Sequence, residues 1–384
     1  MNFDLGEEHE LVRRTVRDFA EQRIAPVAEE LDREERFPYD IVAELAELGL
    51  MGMPIPEEYG GAGADTLSYA IAIEELTRVD SSVAITVAAH TSLGTAPIYL
   101  FGNDDQKARW LPDLCSGRRL GAFGLTEPEA GSDAGNTRTR AIEQPDGSFV
   151  VDGEKMFITN AGTPISGLVT ITALTGEGEI STLVVENGTE GFEPGPPLKK
   201  MGWRASDTRA LHFKACRVPA ENLLGPRGRG LAHLLEVLDG GRISVAALGL
   251  GLAQGAYEQA LAYARERRAF GQAIARFQAI QFKLADMATK VEAARLLMLK
   301  AARMKDAGER SDVEAGMAKL FASEAGKEVV EDSFRIHGGY GYSKEYEIER
   351  LYREVAFMLI GEGTTDIQKQ IIGRKMLEEY RLKG

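Results

Sequence analysis

The sequence has few cysteines and a deficit of basic charge, and each shortage excludes a class of protein. Only Cys115 and Cys216 occur among 384 residues, too few for a disulfide framework and without metal-type spacing. The 45 basic residues are outnumbered by 59 acidic ones, and the net charge of −14 disfavours nucleic acid as a partner. These shortages favour an acidic globular protein of a reducing compartment, with no metal site and no nucleic-acid partner.

A targeting signal and long apolar runs are also missing. Residues 1–18 are charged from Asp4 onward and lack the apolar core of a signal peptide. The most apolar stretch, Val83–Leu100, is interrupted by His, Thr and Gly residues, so we expect no membrane span. We therefore predict a cytoplasmic protein.

The texture of the sequence changes twice along the chain. Up to about residue 120, apolar residues recur at helical spacing, as in Asp104–Cys115, which Asn103 is placed to cap. Short β-branched runs separated by Gly, Pro, Asn and Asp follow, and long helical patterns return near residue 230. The order predicts an α+β fold with an N-terminal helical domain (1–120), a central β domain (121–228) and a C-terminal helix bundle (229–384).

A polar turn follows the first β-rich run. Gly121–Leu125 is typical of a short buried strand, which Pro128 stops. Beyond it, Gly131–Asp133 offers backbone amides, a hydroxyl and a carboxylate to an anion or a heteroaromatic ring. Taken alone, the simpler explanation is that Ser132 or Asp133 caps the turn.

Glu362 lies between Gly361 and Gly363 near the C-terminus. Flanking glycines permit unusual backbone angles, so this carboxylate can face a cavity. The alternative makes Thr364 the N-cap of a following helix, with Asp366 in its first turn. A glycine pair, Gly338–Gly339, ends an earlier helix and is also typical of a helix C-cap.

Together these segments resemble the acyl-CoA dehydrogenase family over nearly the whole chain. The motifs that carry the resemblance are Phe123–Pro128 with Gly131–Asp133, Lys155–Asn160, Asp239–Arg242, Tyr263–Gly271, Gln278, His337–Gly339 and Glu362–Thr364. The resemblance implies an FAD enzyme with an N-terminal helical domain, a central β-barrel-like domain and a C-terminal four-helix bundle. It also implies an acyl-CoA substrate.

The resemblance implies that Glu362 is the catalytic base. It would take the α-proton of a thioester whose carbonyl oxygen is polarised by the base's own amide and by a flavin ribityl hydroxyl, while the β-hydrogen leaves as hydride to flavin N5. The pKa of an exposed glutamate is about 4.3, so we expect the bound acyl chain to raise the pKa of Glu362 towards neutrality by desolvation.

The resemblance assigns the other site residues in three groups. Those implied to contact the cofactor within one subunit are Phe123, Leu125, Thr126, Ser132, Phe157, Thr159, Thr364 and Asp366. Those implied to hold the FAD of a neighbouring subunit are Arg267, Phe270, Gln278, Arg335, Gly338 and Gly339. Those implied to bind substrate are Ser132, Asp239, Arg242 and Gly363. Cofactor sharing of this kind implies a homotetramer built as a dimer of dimers.

Read without the resemblance, several of these residues have plainer roles. Arg267 is typical of a solvated helix face, Phe157 of a core aromatic, and Asp239 with Arg242 of an intrahelical ion pair. The chain also departs from the family pattern, because Gly361 stands where many relatives have tyrosine and Arg335 replaces a usual glutamine. We expect the pocket near the thioester to be wider or differently shaped as a result.

The resemblance also bears on the substrate and the acceptor. Some branches carry their base at the position of Gly241, where glycine cannot serve, which leaves Glu362. Residues 81–93 contain no arginine, so a short- or medium-chain monoacyl group, straight or branched, is expected rather than a dicarboxylic one. An electron-transferring flavoprotein is the expected acceptor. The alternatives are an acyl-CoA oxidase that passes electrons to oxygen, which the chain length disfavours, and a non-catalytic helical binding protein.

Overall fold

The chain folds in the order helices, sheet, helices, and the computed structural model describes residues 4–383, with side chains up to residue 378. The α-helices of the first part are α1 (Glu7–Phe19), α2 (Ala25–Glu34), α3 (Tyr39–Glu47), α4 (Thr66–Val79), α5 (Ser81–Ala88), α6 (Ala96–Phe101) and α7 (Asp104–Cys115). The strands that follow are β1 (Leu120–Gly124), β2 (Arg140–Glu143), β3 (Phe149–Thr159), β4 (Ser166–Gly176), β5 (Glu179–Glu186), β6 (Phe192–Pro194), β7 (Thr208–Val218) and β8 (Leu223–Leu224). The last part contains α8 (Gly230–Glu266), the short strands β9 (Arg268–Ala269) and β10 (Gln272–Ala273), α9 (Gln278–Asp306), α10 (Asp312–His337), α11 (Ile348–Glu354) and α12 (Thr365–Lys383).

Polar side chains cap the starts of α5 and α7. Asn103 and Gln106 form a reciprocal capping box at the start of α7, with hydrogen bonds of 2.9 and 3.0 Å. Asp80 caps α5 by accepting from two backbone amides. The predicted helix Asp104–Cys115 and its cap are confirmed.

Among residues 4–383, one helical run is apolar enough, by length and composition alone, to cross a membrane. It covers Ser81–Phe101 and combines α5, a π-helical segment (Ala89–Thr95) and α6. Some 72% of its most apolar window is buried inside the protein, as is usual for a core helix of a globular domain.

The eight strands β1–β8 form one sheet. Their order is β6-β7-β3-β2-β4-β5-β8, and β1 pairs with β4 outside this path. β1 runs parallel to β4, whereas β3 and β7 are antiparallel. Because β1 ends at Gly124, the polar turn predicted from the sequence emerges at that edge of the sheet.

Three apolar clusters hold the molecule together. The largest joins the N-terminal helices to α8, α9 and α10, with Leu76 and Leu248 completely buried in it. A second lies within the sheet, and a third packs α7 against β4 and β5. Since α4 and α8 share the largest cluster, the N-terminal and C-terminal helical parts are packed directly against each other.

Candidate active site

Glu362 lies in a strained turn just before α12. Its φ is +50°, a left-handed conformation that non-glycine residues rarely adopt, and Gly363 follows at +92°. The Glu362 Oε2 atom is enclosed and has no hydrogen-bond partner. It lies 2.4 Å from where a Cβ would stand at Gly241, so only glycine leaves room for it on α8. An enclosed carboxylate oxygen without a partner indicates a group available to a ligand.

The surroundings of Glu362 tune its acidity. Burial raises the pKa of Glu362 to about 7, and the positive charges of Lys319 and Arg242 limit that rise. We expected a bound acyl chain to do this, but the protein itself already supplies the desolvation. The carboxylate can therefore exchange a proton near neutral pH.

The backbone of the same turn is held through its carbonyl groups. The Glu362 carbonyl accepts from Gln368 Nε2 at 3.2 Å, and the Gly363 carbonyl accepts from Lys319 Nζ at 2.8 Å. Within residues 4–383, the Glu362 N–H has no acceptor in the protein. That N–H is therefore free to donate to a ligand oxygen.

Arg242 and Asp239 form the ion pair that the sequence indicates on α8. Arg242 is almost completely buried, and its Nε has no partner. Burial raises the pKa of Asp239, and Arg242 opposes that rise. A buried guanidinium with a free N–H near Glu362 is suited to a polar ligand atom.

Lys155 holds the turn that follows β1. Its buried ammonium lies 2.7 Å from Glu127 Oε1 and donates to the Leu125 carbonyl at 3.3 Å. Burial lowers the pKa of Lys155 to about 8, and Glu127 opposes that shift. The Met156 N–H donates to the Thr126 carbonyl at 2.8 Å. The turn is thus fixed alongside β3.

Phe157 and Thr159 stand at the end of β3, next to this turn. The pairing of β3 with β7 is irregular between Lys155 and Ile158, and Phe157 adopts a φ of +62° there. The Phe157 ring is 66% exposed, so it is not the core aromatic of the plainer interpretation. An open aromatic face beside a polar turn can stack on a planar ligand. The predicted flavin-facing residues, Phe123, Leu125, Thr126, Phe157 and Thr159, lie on the connected ends of these two strands.

The π-helical segment 89–95 connects this edge of the sheet to Glu362. A Cβ at Gly94 would stand 2.3 Å from the Gly121 carbonyl carbon, so the two backbones touch. On the other side, Leu93 Cδ2 lies 3.5 Å from the same Gly241 position that Glu362 approaches. His90 accepts from the Gly121 N–H at 2.9 Å, and burial lowers the pKa of His90 to about 4, so this histidine is neutral. One segment therefore sets the relation between the carboxylate and the aromatic face.

A separate cavity of about 490 Å³ opens at the ends of α8 and α10. Its lining includes Arg267, the Gly338–Gly339 backbone and Tyr340. The Arg267 guanidinium lies 5.4 Å from the centre of the Tyr340 ring, and Tyr263 stacks on His337 at 4.3 Å. A guanidinium, bare backbone and aromatic faces suit a phosphate attached to an aromatic group. The structure thus brings together Arg267, Gly338 and Gly339, as predicted.

Other predicted residues lie on the surface and do not line this cavity. Phe270 is 95% exposed in the hairpin of β9 and β10, at a φ of +50°. Gln278 is exposed at the start of α9. Arg335, Ser132 and Asp366 are also exposed. Their roles in binding stay predictions.

Thr364 has the capping role that the sequence left open. Its Oγ1 accepts from the Ile367 N–H at 3.2 Å, so it is the N-cap of α12. The capping interpretation is confirmed, and a cofactor contact by Thr364 stays a prediction.

Gly361 has no space for a side chain. A Cβ there would stand 1.9 Å from Phe357 Cε1, and Phe357 in turn packs on Trp203, with ring centres 4.2 Å apart. The volume beside Glu362 is therefore filled by a ring that comes from earlier in the chain. The expectation of a wider or differently shaped pocket near the thioester stays a prediction.

Sequence reasoning missed several residues that build these sites. Lys319 and Gln368 hold the turn of Glu362, Lys155 holds the turn after β1, and Tyr263 and Tyr340 flank the cavity. Lys155 and Tyr263 belong to motifs that the sequence displays. Lys319 and Gln368 contact Glu362 or its neighbours only through the fold, so no local pattern marks them.

Comparisons with known proteins agree with this arrangement. Three family models match in order: "Acyl-CoA dehydrogenase, N-terminal domain" over residues 6–118, "middle domain" over 122–216 and "C-terminal domain" over 228–377. A probable acyl-CoA dehydrogenase of Bacillus subtilis, YngJ, is 49% identical over 98% of this chain and 100% of its own length.

Two solved structures show the same fold. Butyryl-CoA dehydrogenase from Megasphaera elsdenii is 41% identical and superposes with a TM-score of 0.96, covering 98% of this chain and all of that one. An acyl-CoA dehydrogenase from Bacillus anthracis in complex with FAD is 35% identical, with a TM-score of 0.94, and covers 99% of this chain and 68% of that one. The predicted arrangement of a helical domain, a central sheet domain and a helix bundle is confirmed.

Proposed function

The chain belongs to the acyl-CoA dehydrogenase family, whose enzymes depend on FAD, and we propose that it oxidises a short- or medium-chain acyl-CoA to the trans-2-enoyl-CoA with Glu362 as its base. The membership excludes the non-catalytic helical scaffold. The acyl chain, the identity of the base and the direction of electron flow are the content of the proposal.

The observation that carries the proposal is the state of the Glu362 carboxylate. It is enclosed, lacks a partner at Oε2 and has a pKa raised to about 7 by burial. A base near neutral pKa accepts a carbon-bound proton more readily than an ordinary glutamate and is still ionised in a large fraction of molecules at pH 7. In the proposed reaction Glu362 takes the α-proton of the acyl group.

The charge that develops on the thioester oxygen needs a donor. The Glu362 N–H has no acceptor in the described part of the protein, and the turn around it is fixed by Gln368 and Lys319. A fixed, unused N–H costs little reorganisation when it donates to a developing oxyanion. One residue would thus supply both the base and a polarising hydrogen bond.

The residues present suit FAD. The exposed Phe157 face and the fixed turn Leu125–Thr126 would receive the isoalloxazine ring, with Phe123 and Thr159 beside them. Arg267, Gly338 and Gly339 line a cavity with the chemistry for the phosphate and adenosine portions, supplied to a neighbouring subunit. When bound, FAD accepts the β-hydrogen as hydride at N5.

Arg242 and Asp239 are the proposed contacts of the thioester arm, with Gly363 beside them and Ser132 towards coenzyme A. The free Nε of Arg242 and its burial support its role. A butyryl-CoA dehydrogenase is among the structural relatives, which favours a short acyl chain. Branching is left open in the proposal.

The remaining parts of the proposal concern assembly and context. We propose a homotetramer, because the cavity at Arg267 lies on the far helix ends and the resemblance makes it a site for a neighbour's cofactor. We also propose the domain limits 1–120, 121–228 and 229–384, a cytoplasmic location and an electron-transferring flavoprotein as acceptor.

Anaerobic reduction of the FAD-loaded enzyme tests the function. Wild-type protein is titrated with acyl-CoAs of increasing length and branching while flavin absorbance is followed, and butyryl-CoA is expected to bleach it efficiently. Glu362→Gln is expected to keep FAD and bind acyl-CoA but to lose reduction. Substantial reduction by Glu362→Gln would refute the base, and rapid reoxidation on admitting air would make the enzyme an oxidase.

A further inference from the structure

Lys319 is a lysine whose side chain is completely buried in the middle of α10. Its exposed fraction is 0%, and its Nζ donates to the carbonyls of Met358 at 2.9 Å and Gly363 at 2.8 Å. Removing an ammonium from water is costly unless its surroundings compensate. The burial of the Lys319 ammonium therefore indicates that its contacts serve a structural or functional role.

The two carbonyls lie on either side of Glu362 along the chain. Lys319 thus binds both ends of the segment 358–363. Gln368 Nε2 donates to the Glu362 carbonyl at 3.2 Å. A residue in a sparsely populated backbone conformation keeps it only when several contacts determine it together. Glu362, at a φ of +50°, is such a residue, and these contacts come from α10 and α12.

Lys319 also acts through its charge. Its pKa is lowered to about 8 by burial, and Glu362 and Glu324 oppose that shift. The titratable groups that face the Glu362 carboxylate are the cations Lys319 and Arg242 and the buried phenol of Tyr69 on α4, whose pKa burial raises so that it stays neutral. Arg242 forms an ion pair with Asp239, whereas within residues 4–383 Lys319 Nζ donates to two backbone carbonyls and forms no salt bridge. Lys319 is therefore the less compensated of the two cations.

We propose that Lys319 is a positioning residue for the base: its ammonium fixes the strained turn that carries Glu362 and places a positive charge beside the carboxylate. The proposal rests on the function proposed for Glu362. Without this charge, the protonated form of Glu362 is favoured and the base is lost at neutral pH.

The test uses the FAD-loaded enzyme with Lys319→Met, which keeps the length of the side chain and removes its charge and donors. The rate of anaerobic flavin reduction by butyryl-CoA is measured from pH 6 to pH 9.5. We expect a loss of about tenfold or more at pH 7 and an upward shift of the pH midpoint by about one unit, since a close opposite charge moves a carboxyl pKa by about that much or more. The rate should recover partly at high pH.

Two further variants make the result decisive. Lys319→Gln keeps a donor without the charge and should show the same shift with a smaller loss at high pH; it also decides the matter if Lys319→Met does not fold. Lys300→Met removes a lysine that pairs with Glu314 at 3.3 Å between α9 and α10 and should leave the profile unchanged.

The proposal is overturned if the folded Lys319 variants keep the wild-type midpoint, whether the rate is unchanged or falls equally at every pH. An equal loss is what simple loosening of the turn would produce. Failure of the function itself looks different, because then Glu362→Gln still reduces flavin whatever the Lys319 variants do.

Discussion

Glu354 and Glu362 are two glutamates on one stretch of chain, and burial raises the pKa of both, although Glu354 is completely buried and Glu362 only partly. Glu354 is 0% exposed at the end of α11, and burial raises its pKa to about 8, with Arg350 opposing and Asp80 adding to the rise. The pKa of Glu362 is raised to about 7. A raised pKa therefore does not by itself distinguish a working carboxylate from a structural one.

The contacts distinguish them. Glu354 Oε2 accepts from Ser81 Oγ at 2.7 Å, and the carboxylates of Glu354 and Asp80 share the neighbourhood of Arg350. Two acids near one cation favour keeping a proton between them. Glu362 has two cations, no second acid among the groups that shift it, and a left-handed backbone. Glu354 is arranged to stay protonated between helices, whereas Glu362 is arranged to change its charge.

Replacing each glutamate by glutamine gives the largest expected contrast. Glu362→Gln should lower the rate of flavin reduction by about 10²–10⁴-fold, the usual effect of losing a general base. Glu354→Gln keeps an acceptor for Ser81 and should stay within about threefold of wild type, since neutral glutamine mimics the protonated acid. Stopped-flow reduction by butyryl-CoA at pH 7 measures both. An equally inactive, FAD-loaded Glu354→Gln would abolish the contrast.

The two glutamates should also differ in how much each makes the free energy of unfolding depend on pH. For each glutamate the folded pKa lies above the unfolded value near 4.5, so its contribution is complete below that value and is lost as pH rises through the folded pKa. Glu354→Gln should remove a fall in the free energy of unfolding of up to about 4 kcal/mol between pH 5 and pH 8. Glu362→Gln should remove a smaller fall in the free energy of unfolding, up to about 3 kcal/mol.

Denaturant unfolding of the FAD-loaded proteins at several pH values measures these slopes. The Gln variants should be less sensitive to pH than wild type, Glu354→Gln more so than Glu362→Gln. Slopes identical to wild type would mean that neither carboxyl keeps its proton in the folded protein as its burial requires.

The smallest expected effect concerns the space beside Glu362. Gly361→Ala places a methyl group against the Phe357 ring and should lower the free energy of unfolding by about 1–3 kcal/mol through overpacking. In a Phe357→Ala background the same change should cost about 0.5 kcal/mol or less, because the ring is gone. A double-mutant cycle by denaturant unfolding measures the coupling. Additive effects would show that the ring yields without strain.

Much of the fold follows from local signals in the sequence. The sequence predicts Asn103 as the cap of α7 together with its helix, whereas the reciprocal contact from Gln106 appears only in the structure. The long helical pattern that the sequence shows near residue 230 is confirmed by α8, which begins at Gly230 and runs through Gly240 and Gly241. Glycines read as helix breakers in isolation, whereas here Gly241 is required by the approach of Glu362.

The candidate site divides in the same way. Glu362, Arg242 and Phe157 lie in motifs that resemble the acyl-CoA dehydrogenase family, and the resemblance assigns roles that stay predictions. Lys319 could not, since its partners Met358 and Gly363 are distant in sequence and its apolar neighbours on α10 are typical of a plain core helix. The exposure of Phe157 depends on an irregular pairing of two strands, which is set by the whole sheet.

The length of α8 fixes the distance between the Glu362 turn and the cavity at Tyr263. At a rise of 1.5 Å per residue, Gly241 beside the carboxylate and Tyr263 at the rim of the far cavity are about 33 Å apart along one uninterrupted helix. The distance between Glu362 and the cavity is therefore set by one continuous helix and does not depend on the conformation of a loop. In the proposed homotetramer, a neighbouring subunit whose cofactor enters the far cavity would therefore be held at a fixed distance from Glu362.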